Sequence, residues 1–122
     1  MLLCGIDIIE YSQIEKPLKM YGSRFKKLVY TEREINICEN CQNIIPAYAE
    51  RFALKEAAMK AFGTGAAQGI YWNQIEYLGD KKKTLYFSGK SKLFIDDNKI
   101  TNVSCSVSSN NSYSVAVVVL SN

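Results

Sequence analysis

Apolar residues recur along this chain with a helical period over much of the first half and with a strand period over most of the second. The opening segment Leu2–Glu10 is an exception, a β-branched apolar run with one acid in its middle, and it reads as a strand. Gly5 inside it marks a bulge or a close approach of another backbone. Asp7, flanked by Ile6 and Ile8, points to the face opposite those neighbours. Ser12-x-x-Glu15 has the form of a capping box and predicts a short helix, which Pro17 either disturbs or opens. Ser23 caps a second short helix through Tyr30, and Thr31-x-x-Glu34 opens a third toward Cys41. A long helix is placed at about 47–62, after the Pro46 segment that leads into it.

Beyond that helix the pattern predicts a strand over Trp72–Leu78, a turn at Gly79-Asp80 and a returning strand over Thr84–Ser88. Lys90–Asp96 reads as a short helix. Val103, Cys105 and Val107 alternate with Ser104, Ser106 and Ser108, the period of a half-buried strand. Ser109-Asn110-Asn111-Ser112 is turn chemistry, and Tyr113–Leu120 is apolar on both faces, so this hairpin should lie at the centre of a sheet. Helices precede strands, which gives an α+β fold, helices of the first half packed on an antiparallel sheet, in one domain over 1–122.

The long helix carries the most informative pattern. At about 100° per residue, Glu56 and Lys60 share one narrow stripe, Arg51 and Lys55 share another, and Ala, Leu, Met and Phe fill the surface between. A solvated helix carries one broad polar face; this one reads as mostly buried with two thin polar seams. Charges in such seams are costly unless they pair or bind something. The plain reading of Glu56 and Lys60 is an i, i+4 pair adding a few tenths of a kcal/mol, with Gly63 as a C-cap. The chemical reading is that Gly63-Thr64-Gly65 turns backbone N–H groups toward a ligand. Asp7 and Glu56 together would then supply two hard oxygen ligands, which suits Mg²⁺ completed by water and phosphate.

Composition narrows the choice. The 122 residues hold 48% hydrophobic and 22% charged side chains, ordinary for one globular domain. No uninterrupted apolar stretch approaches the length of a membrane helix. No basic region precedes a long apolar core at the start, so a signal peptide is not expected and a cytoplasmic address follows by default. The chain has no histidine, which excludes Ser-His-Asp and Cys-His catalysis and His-ligated zinc. Cys38-x-x-Cys41 has knuckle spacing, but a zinc ribbon needs a second pair, and Cys4 and Cys105 read as small core residues. Lys16, Lys19, Arg24, Lys26 and Lys27 crowd the first helical region at a net charge of +3. Neither aromatic interleaving nor a recognition motif accompanies them, so a nucleic-acid partner is not expected.

Gly5-Ile6-Asp7-Ile8-Ile9-Glu10, followed some forty residues later by Arg51-Phe-Ala-Leu-Lys-Glu-Ala-Ala-Met-Lys-Ala-Phe-Gly-Thr-Gly65, resembles the signature pair of the holo-[acyl-carrier-protein] synthases. These form the short, trimeric branch of the 4′-phosphopantetheinyl transferase superfamily. Tyr30-Thr31-Glu32-Arg33-Glu34 and Ile75-Glu76 resemble further segments, so the likeness covers most of the chain. It implies the 4′-phosphopantetheinyl transferase-like fold and transfer of 4′-phosphopantetheine from coenzyme A to a serine of an apo acyl carrier protein, releasing adenosine 3′,5′-bisphosphate. It implies Asp7 and Glu56 as Mg²⁺ ligands and Lys60 as the cation neutralising phosphate charge. Either Glu56 or a metal-bound water takes the serine proton. Arg51, Lys55, Gly63, Thr64 and Gly65 become candidates for coenzyme A. The first helical region, through Lys16, Lys19 and Arg24, would dock the acidic carrier, and the protein would be a homotrimer with shared sites.

One departure stands out against the resemblance. Many relatives carry His-x-Ser-x-Ser-His where this chain has Asn102-Val-Ser104-Cys-Ser106-Val107. Asn102, Ser104 or a nearby lysine would have to replace the imidazole contacts to the nucleotide. The alternative reading is a relative that kept the fold and binds nucleotide or carrier without this transfer.

Overall fold

The axis of the fold is the Ala-rich helix, which runs over Ile44–Phe62 in a computed structural model that describes residues 1–63 and 69–122. The order of elements is β1 (Leu2–Glu10), α1 (Tyr11–Tyr21), α2 (Ser23–Val29), α3 (Glu32–Glu39) and α4 (Ile44–Phe62), then a 3₁₀ turn at Trp72–Gln74. It continues with β2 (Ile75–Tyr77), β3 (Leu85–Phe87), α5 (Gly89–Asp97), β4 (Asn102–Ser109) and β5 (Tyr113–Ser121). β5 is the central strand of an antiparallel sheet ordered β1-β5-β4, and β2 and β3 form a separate two-stranded ribbon. No described helix is long and apolar enough to cross a membrane.

α4 lies across the inner face of the three-stranded sheet, and its buried alanines let it sit close. Gly5 makes the closest approach. A Cβ built there would stand 1.8 Å from the Ala57 carbonyl oxygen and 2.7 Å from the Ala61 nitrogen. Any side chain at position 5 would therefore push the strand off the helix backbone itself, which cannot yield as a side chain does. The register Asp7↔Ala116↔Val107 then places Asp7 on the inner face, two residues beyond the contact. Ile6 and Ile8 point outward at 61% and 62% exposure. β1 thus exposes two isoleucines outward while its inner face sets Asp7 between Gly5 and buried Ile9.

The sequence reading places most elements and misses several details. Of the hairpin expected at the centre of a sheet only β5 is central, β4 being an edge strand, and Cys4, expected in the core, lies exposed on the outer face of β1. Pro17 lies inside α1, which starts at Tyr11 with Glu10 and Gln13 as its capping box rather than at Ser12. The missing N–H costs one helix bond, and burial of Ile14 against the core carries the helix through it. The segment expected as a strand over Trp72–Leu78 divides into a 3₁₀ turn and a three-residue strand, because Trp72 and Gln74 spend their polar groups on neighbouring elements. Finally, α4 starts three residues earlier than expected, with Pro46 in its first turn, where its lack of an N–H costs nothing. Thr31 and Glu34 do form the expected reciprocal box.

Gly5→Ala should destabilise the protein by about 3 kcal/mol or more, at the upper end of overpacking costs, since the clash is with backbone. Urea unfolding followed by circular dichroism measures it. Stability within about 0.5 kcal/mol of the parent would show that β1 and α4 can separate at no cost.

Candidate active site

The two polar seams of α4 part company in the folded chain. Glu56 and Lys60 face outward at the end of the helix nearest Gly63, whereas Arg51 and Lys55 point into the protein. Lys60 reaches across to β1, its Nζ 2.8 Å from Asp7 Oδ1, with the aspartate side chain 14% exposed and the lysine 57%. Glu56, one turn before Lys60, accepts a hydrogen bond from the Trp72 indole Nε1 at 3.3 Å. Asp7, Glu56 and Lys60 therefore border one surface, drawn from β1 and α4. Gly63 caps the helix in the left-handed region at φ 86°, its N–H donating to the carbonyls of Met59 and Lys60. Thr64 and Gly65 lie outside the described residues.

Among the described residues no three His, Cys, Asp or Glu side chains converge on one point. Two carboxylates are what Asp7 and Glu56 can offer a cation. That donor set fits Mg²⁺, which takes one or two protein carboxylates and fills its shell with water and phosphate oxygens, and it does not fit zinc or a calcium cage. Cys38 lies fully buried on α3, and burial pushes its thiol up to about 12.

Arg51 and Lys55 do not face that surface. Lys55 is 0% exposed and its ammonium donates to Glu34 Oε1 at 2.6 Å, to the Trp72 carbonyl at 3.1 Å and to the Ile75 carbonyl. An ammonium has three protons, and all three are committed within the chain. Burial pulls its pKa below the usual lysine value, and the Glu34 carboxylate opposes that shift. Both oxygens of Glu34 are engaged: Oε1 also accepts from the Thr31 N–H at 3.0 Å, and Oε2 from the Tyr77 N–H at 2.9 Å. Arg51 donates to the Tyr77 carbonyl at 3.0 Å and the Ala47 carbonyl at 3.1 Å, and stacks over the Tyr77 ring. For Lys55 the expectation of a coenzyme A phosphate gives way to a different role, whereas Arg51 commits Nε and Nη1 and makes no hydrogen bond through Nη2 among the described residues. They bind α3, β2 and the 3₁₀ turn to the axial helix. Glu34 and Trp72 were not singled out as site residues from the sequence, and only the capping box signalled that Glu34 mattered.

Asn102 and Ser104 stand apart as well. They lie on the outer face of edge strand β4, level with Leu2 and Cys4 of β1, while Asp7 is on the inner face. One chain cannot bring both sets to the same ligand. Lys16, Lys19 and Arg24 are exposed on α1 and α2 beside exposed Met20, Tyr21 and Leu28, and Pro17, Tyr21, Arg24, Phe25 and Leu28 line a groove between the two helices.

Lys55→Met should cost about 3–5 kcal/mol by leaving the Glu34 carboxylate buried and uncompensated. Adding Glu34→Leu should restore part of that loss. Chemical denaturation of the two variants decides the matter, and a stable Lys55→Met protein with weakened coenzyme A binding would return this lysine to the ligand.

A model of the 4′-phosphopantetheinyl transferase superfamily matches residues 3–118. The chain is 39% identical over 123 residues to the holo-[acyl-carrier-protein] synthase of Ruminiclostridium cellulolyticum, covering 98% of this chain and 92% of that one. It is 37% identical over 118 residues to the synthase of Koribacter versatilis, covering 95% and 94%. Among solved structures it resembles the Neisseria meningitidis synthase at a TM-score of 0.88 and 25% identity, with 98% of each chain covered. The Helicobacter pylori synthase in complex with coenzyme A superposes at 0.83, with 29% identity over 98% of this chain and all of that one. With the family model spanning almost every residue, this chain belongs to the 4′-phosphopantetheinyl transferase superfamily.

Proposed function

We propose that this protein is a holo-[acyl-carrier-protein] synthase, moving 4′-phosphopantetheine from coenzyme A to a serine of an apo acyl carrier protein. The observation that carries the reading is the surface shared by Asp7, Glu56 and Lys60, on a chain whose relatives bear that name along nearly their whole length. In this transfer the serine oxygen forms a bond to the phosphorus carrying the pantetheine arm, and the bond to adenosine 3′,5′-bisphosphate breaks. Such a reaction needs its reactants positioned and its charge neutralised more than it needs covalent help. Asp7 and Glu56 would hold Mg²⁺, which would supply polarisation of the diphosphate. Lys60, whose side chain is 57% exposed beside Asp7, answers the charge that gathers on the leaving phosphate. The serine proton passes to Glu56 or to solvent that Glu56 orients.

The carrier docks on α1 and α2. Lys16, Lys19 and Arg24 give that surface its positive charge, and the groove beside them accepts apolar side chains of an acidic helix. Lys26 is engaged by Glu39 at 3.0 Å and Lys19 by Glu15 at 3.5 Å, so Lys16 and Arg24 are the cations most readily turned toward a partner.

The protein acts as a homotrimer. Support comes from the outer sheet face, where Leu2, Ile6 and Ile8 of β1 stand exposed beside Val115 and Val117 of β5, with no layer above them among the described residues. A ring of three heterologous contacts buries such a face in every copy. It also lets Asn102 and Ser104 of one subunit approach the Asp7 surface of the next, which a single chain does not permit.

The direct test is incubation with coenzyme A, Mg²⁺ and an apo-carrier, read by intact mass. The carrier should gain the phosphopantetheine arm. Asp7→Asn and Glu56→Gln should each reduce transfer by at least about a hundredfold at limiting Mg²⁺, with circular dichroism unchanged. A variant that transfers at the parental rate across the Mg²⁺ titration removes that carboxylate from the site.

Assembly has its own test. Ile6→Lys should convert the trimer to monomers in light scattering and abolish transfer together, because the site is then left half-built. A monomeric parent, or an active monomeric variant, would contradict the shared site.

A further inference from the structure

Trp72 is the only tryptophan in the chain, and it is held from two sides. Its ring lies 6.0 Å from that of Phe52 at 32°, so the aromatic faces pack on the side of α4. Its carbonyl accepts a hydrogen bond at 3.1 Å from the buried Lys55 ammonium, which Glu34 in turn anchors. The indole N–H then points to Glu56 Oε2 at 3.3 Å, and among the described residues no other group donates to that carboxylate. The indole thus occupies one lone pair of Oε2, and Oε1 has no donor among the described residues.

We propose that Trp72 is a positioning residue that makes Glu56 a one-oxygen ligand and so sets the choice of cation. The inference rests on the reading of Glu56 as a Mg²⁺ ligand. Mg²⁺ demands a near-octahedral shell with a single oxygen from each donor, whereas Ca²⁺ readily takes both oxygens of one carboxylate. A donor fixed on Oε2 favours the first and penalises the second. The buried lysine connects to the chemistry through this indole: Lys55 fixes the backbone of Trp72, and Trp72 orients Glu56.

Calorimetric titration of Mg²⁺ and of Ca²⁺ into the full chain saturated with coenzyme A tests the proposal. Trp72→Phe keeps a ring against Phe52 and removes the N–H. Its Mg²⁺ affinity should fall about tenfold, the scale on which residues supporting metal ligands act, while Ca²⁺ affinity holds or rises. Equal weakening of both cations would mean that Trp72 supports the fold alone, and an unchanged ratio would overturn the proposal. The parent supplies a measurement free of any variant: Trp72 emission should change on adding Mg²⁺, and Glu56→Gln should suppress that change. Emission indifferent to Mg²⁺ in the parent would overturn it. The two readings separate cleanly. If Glu56→Gln binds Mg²⁺ as the parent does, the metal assignment falls. If it loses Mg²⁺ while Trp72→Phe keeps the parental selectivity, only the positioning role falls.

Discussion

The distance between β1 and α4 governs this molecule. A side chain at position 5 would collide with the carbonyl of Ala57 and the nitrogen of Ala61, so only glycine lets strand and helix meet backbone to backbone. From that contact the rest of the site follows by geometry. Asp7 comes to lie two residues further along the inner face of β1 and Lys60 one helical turn beyond Glu56, and the two charges meet at 2.8 Å. The small side chains of Ala57, Ala58 and Ala61 belong to the same constraint, since a bulkier residue there would lift the helix away from the sheet.

A second constraint works from the other side of α4. Burying the Lys55–Glu34 pair is expensive, and it is tolerated because the ammonium's three protons all find acceptors and both Glu34 oxygens accept hydrogen bonds, with the Thr31, Trp72, Ile75 and Tyr77 backbones as the further partners. Replacing such a pair by apolar residues need not lower stability. Its use is directional: it ties the start of α3 and the 3₁₀ turn to one position on the axial helix. Glu76 extends the tie outward, taking hydrogen bonds from Thr31 at 2.6 Å and from Arg33. Among the described residues no buried side-chain nitrogen or oxygen lacks a partner, so the network is complete rather than frustrated.

The sheet shows how the two faces of one strand serve different ends. Inward, β5 offers Ser114, Ala116, Val118 and Leu120 to the helix. Outward, the same strand and β1 present an apolar surface, and β4 borders it with Ser104, Ser106 and Ser108. This division explains why Asn102 and Ser104 stand away from Asp7 within one chain.

Local elements were legible in the sequence because their causes are local. The Thr31-x-x-Glu34 box, the alternation through β4 and the helix-forming run of α4 each rest on interactions within a few residues. The α+β class and the family followed from their order and from the motif around Asp7 and Glu56. What the sequence left open was the direction of each seam on α4. Arg51 with Lys55 and Glu56 with Lys60 have the same i, i+4 spacing, and periodicity cannot say which pair faces Glu34 and which faces solvent. Packing decided it: α3 and the Trp72 turn cover one seam, and β1 meets the end of the other. Pro17 inside α1 and the split of the Trp72–Leu78 segment were decided in the same way, since tertiary burial outweighs one lost helix bond or a strand propensity. Sequence determines which groups the chain owns and what each prefers nearby; the choice of partner belongs to contacts made by residues far apart along it.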